Sequence, residues 1–387
     1  MKINKKGNQC QCEICVLDDS VSDIIYDING VCNYCKFHQK MRNYYPNGPK
    51  GRREIIKLVS KIKKSKKKEY DCIVGVSGGV DSTYTLYMAK KLGLRPLAVH
   101  IDNGWNSELS VRNIELITKS LDVDLHTIVL DWNSFRDLQV SFLKASVPDG
   151  EIPSDIALQA GLFDIAIKEK VKYIIFGYNF RDQGISPITW TYMDGKYINS
   201  VHNDFSSSKL LNYPNLTIEK LVYSTVFKGI RAVSLLEYID YDTKKVKKFL
   251  IRKLGWKPYG GKHFESTYTK FFQGVILPQK FNIDKRKIYL STQIRENRLS
   301  RKEAINLLEK VPPYPKNNID LDQNYVLKKL NLSPSEFDKI MKLPIKSFKD
   351  YDTYLDVIHL LRYPVKIACD LNILPVKFYE KYVKGMI

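Results

Sequence analysis

A strand, a glycine-rich turn and a helix start follow one another at residues 71–82, DCIVGVSGGVDS. The apolar run before the glycines is typical of a strand that is covered on both faces in a parallel sheet. The turn and the helix start direct several backbone N–H groups and the positive end of a helix at one point, which is how a protein backbone holds phosphate. The turn has neither the lysine of the usual P-loop nor the GxGxxG spacing of a dinucleotide fingerprint, so it is a different kind of phosphate-binding turn.

Strands and helices alternate after this turn. We predict strands at 95–102, 124–130 and 172–179, and helices at 110–121, 134–146 and 153–170. This order predicts an α/β fold with a doubly wound parallel sheet, in which ligands bind outside the carboxyl ends of the strands. The turn itself, Asp102 and the segment 177–184 follow strands and are expected at that edge.

The chain is predicted to divide into three parts: a metal-binding knuckle segment at 1–45, the α/β domain at 46–230, and a helical domain at 231–387 that would complete a substrate site. From about residue 231 the sequence is a series of helical segments separated by proline-containing loops such as VPPYPKNN. Ser300 and Glu303 have the spacing of a capping box, which predicts a helix start there.

Five of the seven cysteines lie within the first 35 residues. Cys12 and Cys15, then Cys32 and Cys35, form two Cys-x2-Cys pairs sixteen residues apart, the spacing of two knuckles that share one tetrahedral Zn²⁺. We expect structural zinc in a zinc-ribbon-like segment, since so short a segment has little core of its own. A disulfide is the competing interpretation, and an iron–sulfur cluster is the other one because Cys10 lies close by.

Charge and hydropathy limit the partners. Lys and Arg number 62 against 42 Asp and Glu, a formal charge of +20, which attracts polyanions. Six of the lysines, however, lie at 61–68, at the end of a stretch in which Ile55, Val59 and Ile62 recur at helical spacing. This stretch is predicted to be an amphipathic helix with a solvated basic face. We therefore do not expect a nucleic acid partner. No apolar run is long enough for a membrane span and no secretion signal starts the sequence, so we expect a cytoplasmic protein.

The turn SGGVDS resembles the PP-loop of the ATP pyrophosphatases, a superfamily that includes GMP synthetase, NAD synthetase and tRNA thiolation enzymes. The resemblance implies that ATP is cleaved between its α and β phosphates. It implies that Asp81 helps to hold Mg²⁺ and that the backbone at 100–102 takes the adenine. The nucleotide-binding residues that it implies are Ser77, Gly78, Gly79, Val80, Asp81, Ser82, His100, Asp102, Gly177 and Asn179.

Further stretches resemble the N-acetyl sugar amidotransferases of bacterial lipopolysaccharide, O-antigen and nonulosonic acid biosynthesis. They are CEICVLDDS, DINGVCNYC, GEIPSDIALQAGLFDIAIKEKVKYIIFGYNFRDQGI, SVHNDF and PYGGKHFESTYTKFFQGVILPQKFNIDKRKIYLSTQI, within roughly residues 10–310. The resemblance implies ATP, Mg²⁺ and Zn²⁺ as cofactors and a nucleotide-activated N-acetyl sugar as substrate. AMP would be transferred to the acetamido oxygen, and ammonia would displace it to give an acetamidino sugar for a surface polysaccharide or flagellin glycan.

This resemblance also implies which side chains act. Candidates for neutralising the charge on pyrophosphate are Arg181, Lys262, His263 and Lys270. Glu265 would position the nucleophile or steer a proton, with a helix-start carboxylate as the plainer interpretation. Asp182 is the candidate second Mg²⁺ ligand, although an acidic residue nearer Gly184 is expected from the family pattern.

The source of ammonia is argued from the cysteines. A glutaminase needs a nucleophilic cysteine at the amino terminus or in an elbow beside a histidine. Residue 2 is Lys, and neither Cys72 nor Cys369 has such a setting. We expect a separate glutaminase subunit of class I, like that of histidine biosynthesis. The alternative function is a PP-loop tRNA-modifying enzyme of the thiolation or lysidine type, which would use the same ATP chemistry on a base.

Overall fold

The computed structural model describes residues 10–65, 69–262, 264–315 and 319–384. Its centre is a five-stranded parallel sheet with the strand order β3-β2-β1-β4-β5. The strands are β1 Cys72–Gly75, β2 Pro96–Asp102, β3 Leu125–Val129, β4 Tyr173–Ile175 and β5 Arg231–Val233. The predicted doubly wound α/β fold is confirmed.

The apolar run before the turn forms the central strand, β1. Ile73 is in register with Leu97 of β2 on one side and with Ile174 of β4 on the other. Helices cover both faces, so Cys72, Ile73 and Val74 are all fully buried, which explains an apolar run without alternation. The strand order reverses between β1 and β4, and the loops after these two strands therefore border the crevice of a doubly wound sheet.

The fifth strand lies in the segment that the sequence predicts to be helical. Residues 231–233 pair with 173–175 at the edge of the sheet. Three residues are too few to produce a recognisable strand pattern. The sheet thus continues past residue 230, and the predicted three-part division stays a prediction.

Helices make up most of the remaining described structure. They are α1 Asn33–Tyr44, α2 Gly48–Lys64, α3 Val80–Lys91, α4 Glu108–Leu121, α5 Trp132–Lys144, α6 Ile152–Lys168, α7 Phe180–Gln183, α8 Gly195–Phe205, α9 Ile218–Val222, α10 Thr243–Leu254, α11 Thr267–Phe271, α12 Leu277–Phe281, α13 Arg286–Arg295, α14 Arg301–Lys310, α15 Ile319–Leu330, α16 Pro334–Lys342, α17 Leu355–Leu360, α18 Arg362–Asp370 and α19 Val376–Tyr382. Short π-helical segments, Tyr223–Phe227 and Phe272–Ile276, continue α9 and connect α11 to α12. None of the helices in the described ranges is long and apolar enough to cross a membrane.

Two local predictions about helices are confirmed. In α2, Ile55, Val59 and Ile62 are buried, as expected for the apolar face of an amphipathic helix. At the start of α14, the Ser300 hydroxyl and the Glu303 carboxylate form a reciprocal capping box. Both patterns are set by residues within two helical turns, so local sequence is sufficient to predict them.

Candidate functional site

The SGGVDS turn forms a small cradle between β1 and α3. The Ser77 N–H donates to the Ser82 hydroxyl oxygen at 3.1 Å, and the Gly79 N–H lies 3.3 Å from the Ser77 hydroxyl oxygen. Gly79 precedes the first residue of α3 and, having no side chain, does not cap the helix. The N-cap residue therefore provides no side-chain acceptor for the backbone N–H groups of the first turn of α3, at the positive end of the helix.

Close backbone contacts fix this turn. Gly78 has a φ of +75°, and a Cβ there would lie 2.2 Å from the backbone oxygen of Ser110. A Cβ on Gly177, in the loop after β4, would lie 2.9 Å from the backbone nitrogen of Ser82. The turn thus touches α4 at Gly78, and the loop after β4 touches the first turn of α3 at Gly177. A larger residue at either glycine would disrupt that contact. The Trp256 indole N–H donates to the Gly78 carbonyl oxygen at 2.9 Å and anchors the turn from the C-terminal side.

Two carboxylates lie beside the cradle. Asp81 accepts hydrogen bonds from the Gln183 amide at 2.8 Å and from the Tyr241 hydroxyl. Asp182 accepts from Lys262, with Nζ 2.7 Å from Oδ2, and from the Thr243 hydroxyl. The structure therefore brings together Asp81, Asp182 and Lys262, which the sequence analysis proposed separately.

The two carboxylates influence each other's ionisation. Burial and the neighbouring charge of Asp182 raise the pKa of Asp81 above its ordinary value. Burial opposes ionisation of Asp182 as well, but the ammonium of Lys262 outweighs it and lowers the pKa of Asp182. A like charge beside a buried carboxyl group is what a bound cation would relieve. The donor set, two carboxylates next to a phosphate cradle, fits Mg²⁺.

Residues 256–262 and 264–267 lie over the cradle. A Cβ on Gly79 would lie 3.3 Å from both the Tyr259 hydroxyl and a Glu265 carboxylate oxygen, so both side chains reach the turn. The Glu265 carbonyl accepts from the Ser107 N–H at 2.8 Å, which ties the segment to the loop after β2. Burial and then the Glu265 carboxylate raise the pKa of Tyr259. Glu265 is thus held beside the phosphate-binding turn.

The residues proposed for the adenine lie at the end of β2. His100 is buried, with Nδ1 3.0 Å from the Val76 carbonyl oxygen and Nε2 3.2 Å from the Asn106 amide nitrogen. Burial lowers the pKa of His100. Asp102 accepts from the Gly104 N–H at 2.9 Å. His100 therefore links β2 to the residue just before the turn.

Asn179, after β4, is fully buried. Its side-chain oxygen accepts from the Arg181 N–H at 2.9 Å and caps α7. Its side-chain amide nitrogen has no hydrogen-bond partner among the described residues. Its predicted part in nucleotide binding stays a prediction.

Two of the predicted cations make their contacts elsewhere. Arg181 is buried with its guanidinium 3.3 Å from Glu296 and donates to the Tyr45 carbonyl. Lys270 pairs with Asp322 at 2.5 Å. The structure does not bring these two side chains to Asp81, and their catalytic roles stay predictions. His263 lies outside the described residues.

Several residues of the site are absent from the sequence-based proposal. They are Gln183, Tyr241, Thr243 and Tyr259, which contact the two carboxylates or the turn. No local motif marks a tyrosine or threonine that bonds to a carboxylate 60 to 160 residues away. Two of the four had a signal. Gln183 lies directly after Asp182 in the loop predicted at the sheet edge, and Tyr259 lies in the PYGGKHFES stretch that carries the family resemblance.

The four knuckle cysteines form a compact cluster. Their sulfur atoms all lie within 4.8 Å of one another, and all four side chains are buried. Cys12 and Cys35 are 3.8 Å apart between sulfurs, and Cys15 and Cys32 are 3.7 Å apart. The cluster is able to bind a metal ion. Cys10 is exposed and does not belong to it.

Arginines of the C-terminal helices close around this cluster. Arg295 of α13 donates to the sulfurs of Cys35 at 3.2 Å and Cys15 at 3.3 Å. Arg301 of α14 donates to the carbonyl oxygens of Cys12 and Cys15. The thiol sulfurs raise the pKa of Arg295, although burial opposes its charge. The cysteine segment is therefore joined to α13 and α14 rather than being a separate unit.

Two family profiles match the chain, in the order that the sequence analysis expects. Residues 71–159 match the queuosine biosynthesis protein QueC. Residues 265–362 match the C-terminal domain of WbpG-like LPS biosynthesis proteins. These matches confirm the predicted resemblance. The first spans the phosphate-binding turn, and the second begins at Glu265, in the segment that crosses it.

Individual relatives match over part of their length. An uncharacterised protein of Methanocaldococcus jannaschii is 31% identical over 174 residues, 43% of this chain and 58% of that protein. The glutamine-hydrolysing GMP synthase of Pyrobaculum aerophilum is 35% identical over 136 residues, 33% of this chain and 25% of that protein. Among solved structures, NMN synthetase from Francisella tularensis superposes with a TM-score of 0.39 at 13% identity, covering 73% of this chain and 96% of that one. The chain thus spans about half or less of the curated relatives that it matches.

Proposed function

We propose that the chain is an ATP-dependent amidotransferase that converts the acetamido group of a nucleotide-activated N-acetyl sugar into an acetamidino group. The main support is the arrangement at one sheet edge of the SGGVDS cradle, Asp81, Asp182 and Lys262. The order of the QueC and WbpG-like matches supports the same assignment. In this proposal the helical C-terminal region completes the sugar site over the open end of the sheet.

The first step would activate the amide. The acetamido oxygen attacks the α-phosphorus of ATP, the α–β bond breaks, and pyrophosphate leaves. The backbone N–H groups of residues 77–82 would hold the pyrophosphate at the positive end of α3. Lys262 would release Asp182 and neutralise the charge that gathers on the leaving group. The product is an O-adenylyl imidate with a good leaving group.

Asp81 and Asp182 would hold Mg²⁺ for this step. When bound, the ion supplies positive charge that stabilises the phosphate oxygens. The carboxylate pair suits this role because the raised pKa of Asp81 reflects its own burial and the charge of Asp182.

The second step would replace AMP by ammonia. Ammonia adds to the imidate carbon, a proton leaves the nitrogen, and AMP departs as the C–O bond breaks, which gives the acetamidine. Glu265 is placed beside the turn and would accept that proton. A separate glutaminase subunit would supply the ammonia. Of the three cysteines outside the cluster, Cys72 and Cys369 are buried, and burial raises the pKa of each thiol. The third, Cys10, lies in the cysteine segment.

The cysteine cluster would hold one structural Zn²⁺. A tetrahedron with Zn–S bonds of about 2.3 Å has sulfur–sulfur edges of about 3.8 Å. The observed distances of 3.7 and 3.8 Å match these edges. A single ion therefore fits this sulfur arrangement, and Arg295 would offset part of the thiolate charge.

A tRNA-modifying enzyme is the second candidate, favoured by the formal charge of +20. Thiolation requires a reactive sulfur-carrying cysteine near the nucleotide, or a cluster. The sulfurs of the four-cysteine cluster are buried and contacted by Arg295. Cys72 is the cysteine nearest the turn in sequence, and it is fully buried in β1. The sugar reaction is therefore the better supported of the two.

The test is a product assay with ATP, Mg²⁺, ammonium and UDP-N-acetylglucosamine as the probe sugar. We expect AMP, pyrophosphate and a sugar product whose mass is lower by one unit, because an oxygen is replaced by NH. Release of ADP would contradict the proposal. AMP formation that requires tRNA instead of the sugar would favour the second candidate.

A further inference from the structure

A second polar cluster lies apart from the carboxylates that face the cradle. Glu151 accepts two hydrogen bonds from the Gln273 amide, each at 3.0 Å, and pairs with Lys285 at 2.7 Å. The Glu151 and Lys285 side chains are each about 13% exposed. Burying a carboxylate, an ammonium and an amide together contributes little to the free energy of folding, because each group must first lose its water. The cluster therefore calls for an explanation other than stability.

The cluster is formed by three segments that are distant in the sequence, around residues 151, 273 and 285. Glu151 directly precedes α6, whose Ser154 hydroxyl accepts from the Asn103 amide of the loop after β2 at 2.9 Å. This contact places the start of α6 at the carboxyl edge of the sheet. Beside it, a Cβ on Gly150 would lie 2.4 Å from the Phe272 ring, so a side chain there would push Glu151 away from Gln273.

Gln273 lies in the π-helical segment Phe272–Ile276, between α11 and α12. A π-helical insertion changes the direction in which the following side chains point, and such segments are frequent at functional sites. Here the insertion coincides with the residue that donates to both oxygens of Glu151. The irregular helix therefore occurs at the residue that forms the polar cluster with Glu151.

Tyr268 adds an unused hydrogen-bonding group. Its side chain is about 1% exposed, and its hydroxyl has no hydrogen-bond partner within the described ranges. Its ring stacks on that of Phe272, the residue next to Gln273, with ring centroids 5.7 Å apart. Burial and then the charge of Glu151 raise the pKa of Tyr268. A buried hydroxyl without a partner costs about 1 to 3 kcal/mol, a cost that a bound ligand would remove.

Tyr289 lies in α13, one helical turn after Lys285 of this cluster. The Lys262 ammonium is 4.2 Å from the centre of its ring. Burial, and then Glu151, Glu265, Asp182 and Asp284, raise the pKa of Tyr289. Tyr289 therefore connects the helix that carries Lys285 with Lys262, which pairs with Asp182 beside the cradle.

We propose that Glu151, Gln273, Lys285 and Tyr268 form the subsite for the sugar ring of the acceptor. This rests on the proposed function. The cluster offers a carboxylate that accepts from hydroxyl groups, and an amide, an ammonium and a phenol that donate to hydroxyl or acyl oxygens. Glu151 and Lys285 cancel in charge, so the subsite suits a neutral polyhydroxylated ring and disfavours the phosphates of the nucleotide carrier.

The experiment compares Glu151→Gln and Tyr268→Phe with the wild-type chain, using UDP-N-acetylglucosamine as the probe. Binding of its acetyl methyl group is followed by saturation-transfer NMR, and the KM values for probe and ATP come from AMP release. We expect Glu151→Gln to weaken probe binding and raise the probe KM about tenfold, with the ATP KM unchanged within about twofold. We expect Tyr268→Phe to weaken probe binding as well and to raise the probe KM by about three- to fivefold. Exposed Glu309→Gln and Tyr363→Phe serve as matched controls and should behave as wild type.

The outcomes separate this inference from the proposed function. Equal probe binding by wild type and Glu151→Gln overturns the subsite, as does a rise in the ATP KM as large as that in the probe KM. Failure of the probe to bind the wild-type chain overturns it too. Probe binding that depends on Glu151, without AMP release, supports the subsite and contradicts the proposed reaction. Circular dichroism of each variant checks that the fold is retained.

Discussion

The cysteine cluster and the phosphate cradle are both built around short motifs, but they are completed in different ways. All four sulfurs of the cluster come from residues 12–35. The cradle is also local, yet the groups that surround it come from residues 182, 241, 256 and 262, between 100 and 180 positions farther along the chain. A ligand set can therefore be local, whereas the electrostatic setting of a reaction is assembled by the fold.

This comparison predicts that the cluster responds most strongly to loss of a single ligand. We expect Cys32→Ser to release the metal and to lower the free energy of unfolding by several kcal/mol, because metal binding supplies folding free energy for so small a segment. The loss of stability should extend to α13 and α14, which contact the cluster through Arg295 and Arg301. Metal analysis and denaturant unfolding measure it, with about one zinc per chain expected in the wild type.

Cys10→Ser is the matched control, since Cys10 is an exposed cysteine in the same segment. It should keep its zinc and its stability. Iron with visible absorbance in the wild type would contradict the zinc assignment. Equal metal loss from both variants would contradict the choice of ligands.

The next largest effect is expected at the cradle and should concern turnover instead of folding. Asp81→Asn removes one carboxylate charge from the pair with Asp182, and we expect AMP release to fall by about 10³-fold. The zinc content and unfolding midpoint should change little, because the two sites are built from separate segments. A quenched assay of AMP release, with metal analysis of the same sample, measures both.

Asp240→Asn, at a side chain that is about 81% exposed, is the control for this substitution and should turn over normally. Turnover of Asp81→Asn at the wild-type rate would show that the turn does not serve the reaction. Loss of zinc together with turnover would show that the two regions are not independent.

The smallest effect tests the anchoring of the turn. Trp256→Phe removes the hydrogen bond to the Gly78 carbonyl, and we expect a loss of about 1 kcal/mol, or about fivefold in the KM for ATP. The KM for the sugar should not change. Trp132→Phe is the control: Trp132 is partly buried and packs against Trp105, and its substitution should leave both KM values unchanged. If only the KM for the sugar changed, Trp256 would act in the sugar subsite and not in ATP binding.

Much of the fold could be predicted because its signals are short in range. The central strand β1 has an uninterrupted apolar run since both of its faces are covered, and the capping box at Ser300 needs four residues. The strand β5 was missed because three residues at a sheet edge carry too little pattern. Asp81, Asp182 and Lys262 lie together beside the turn, and their roles stay predictions. Tyr241 and Thr243 were not foreseen, because they bond to carboxylates that are distant in the sequence.

The sequence by itself determined the backbone of the cradle and the four sulfur ligands, because glycine conformations and Cys-x2-Cys spacing act over a few residues. The tertiary structure decided which charges meet. It pairs Lys262 with Asp182, Arg181 with Glu296 and Lys270 with Asp322. The physical reason is that a buried charge is stabilised by whichever partner the fold brings within about 4 Å, and that partner is seldom a neighbour in the sequence.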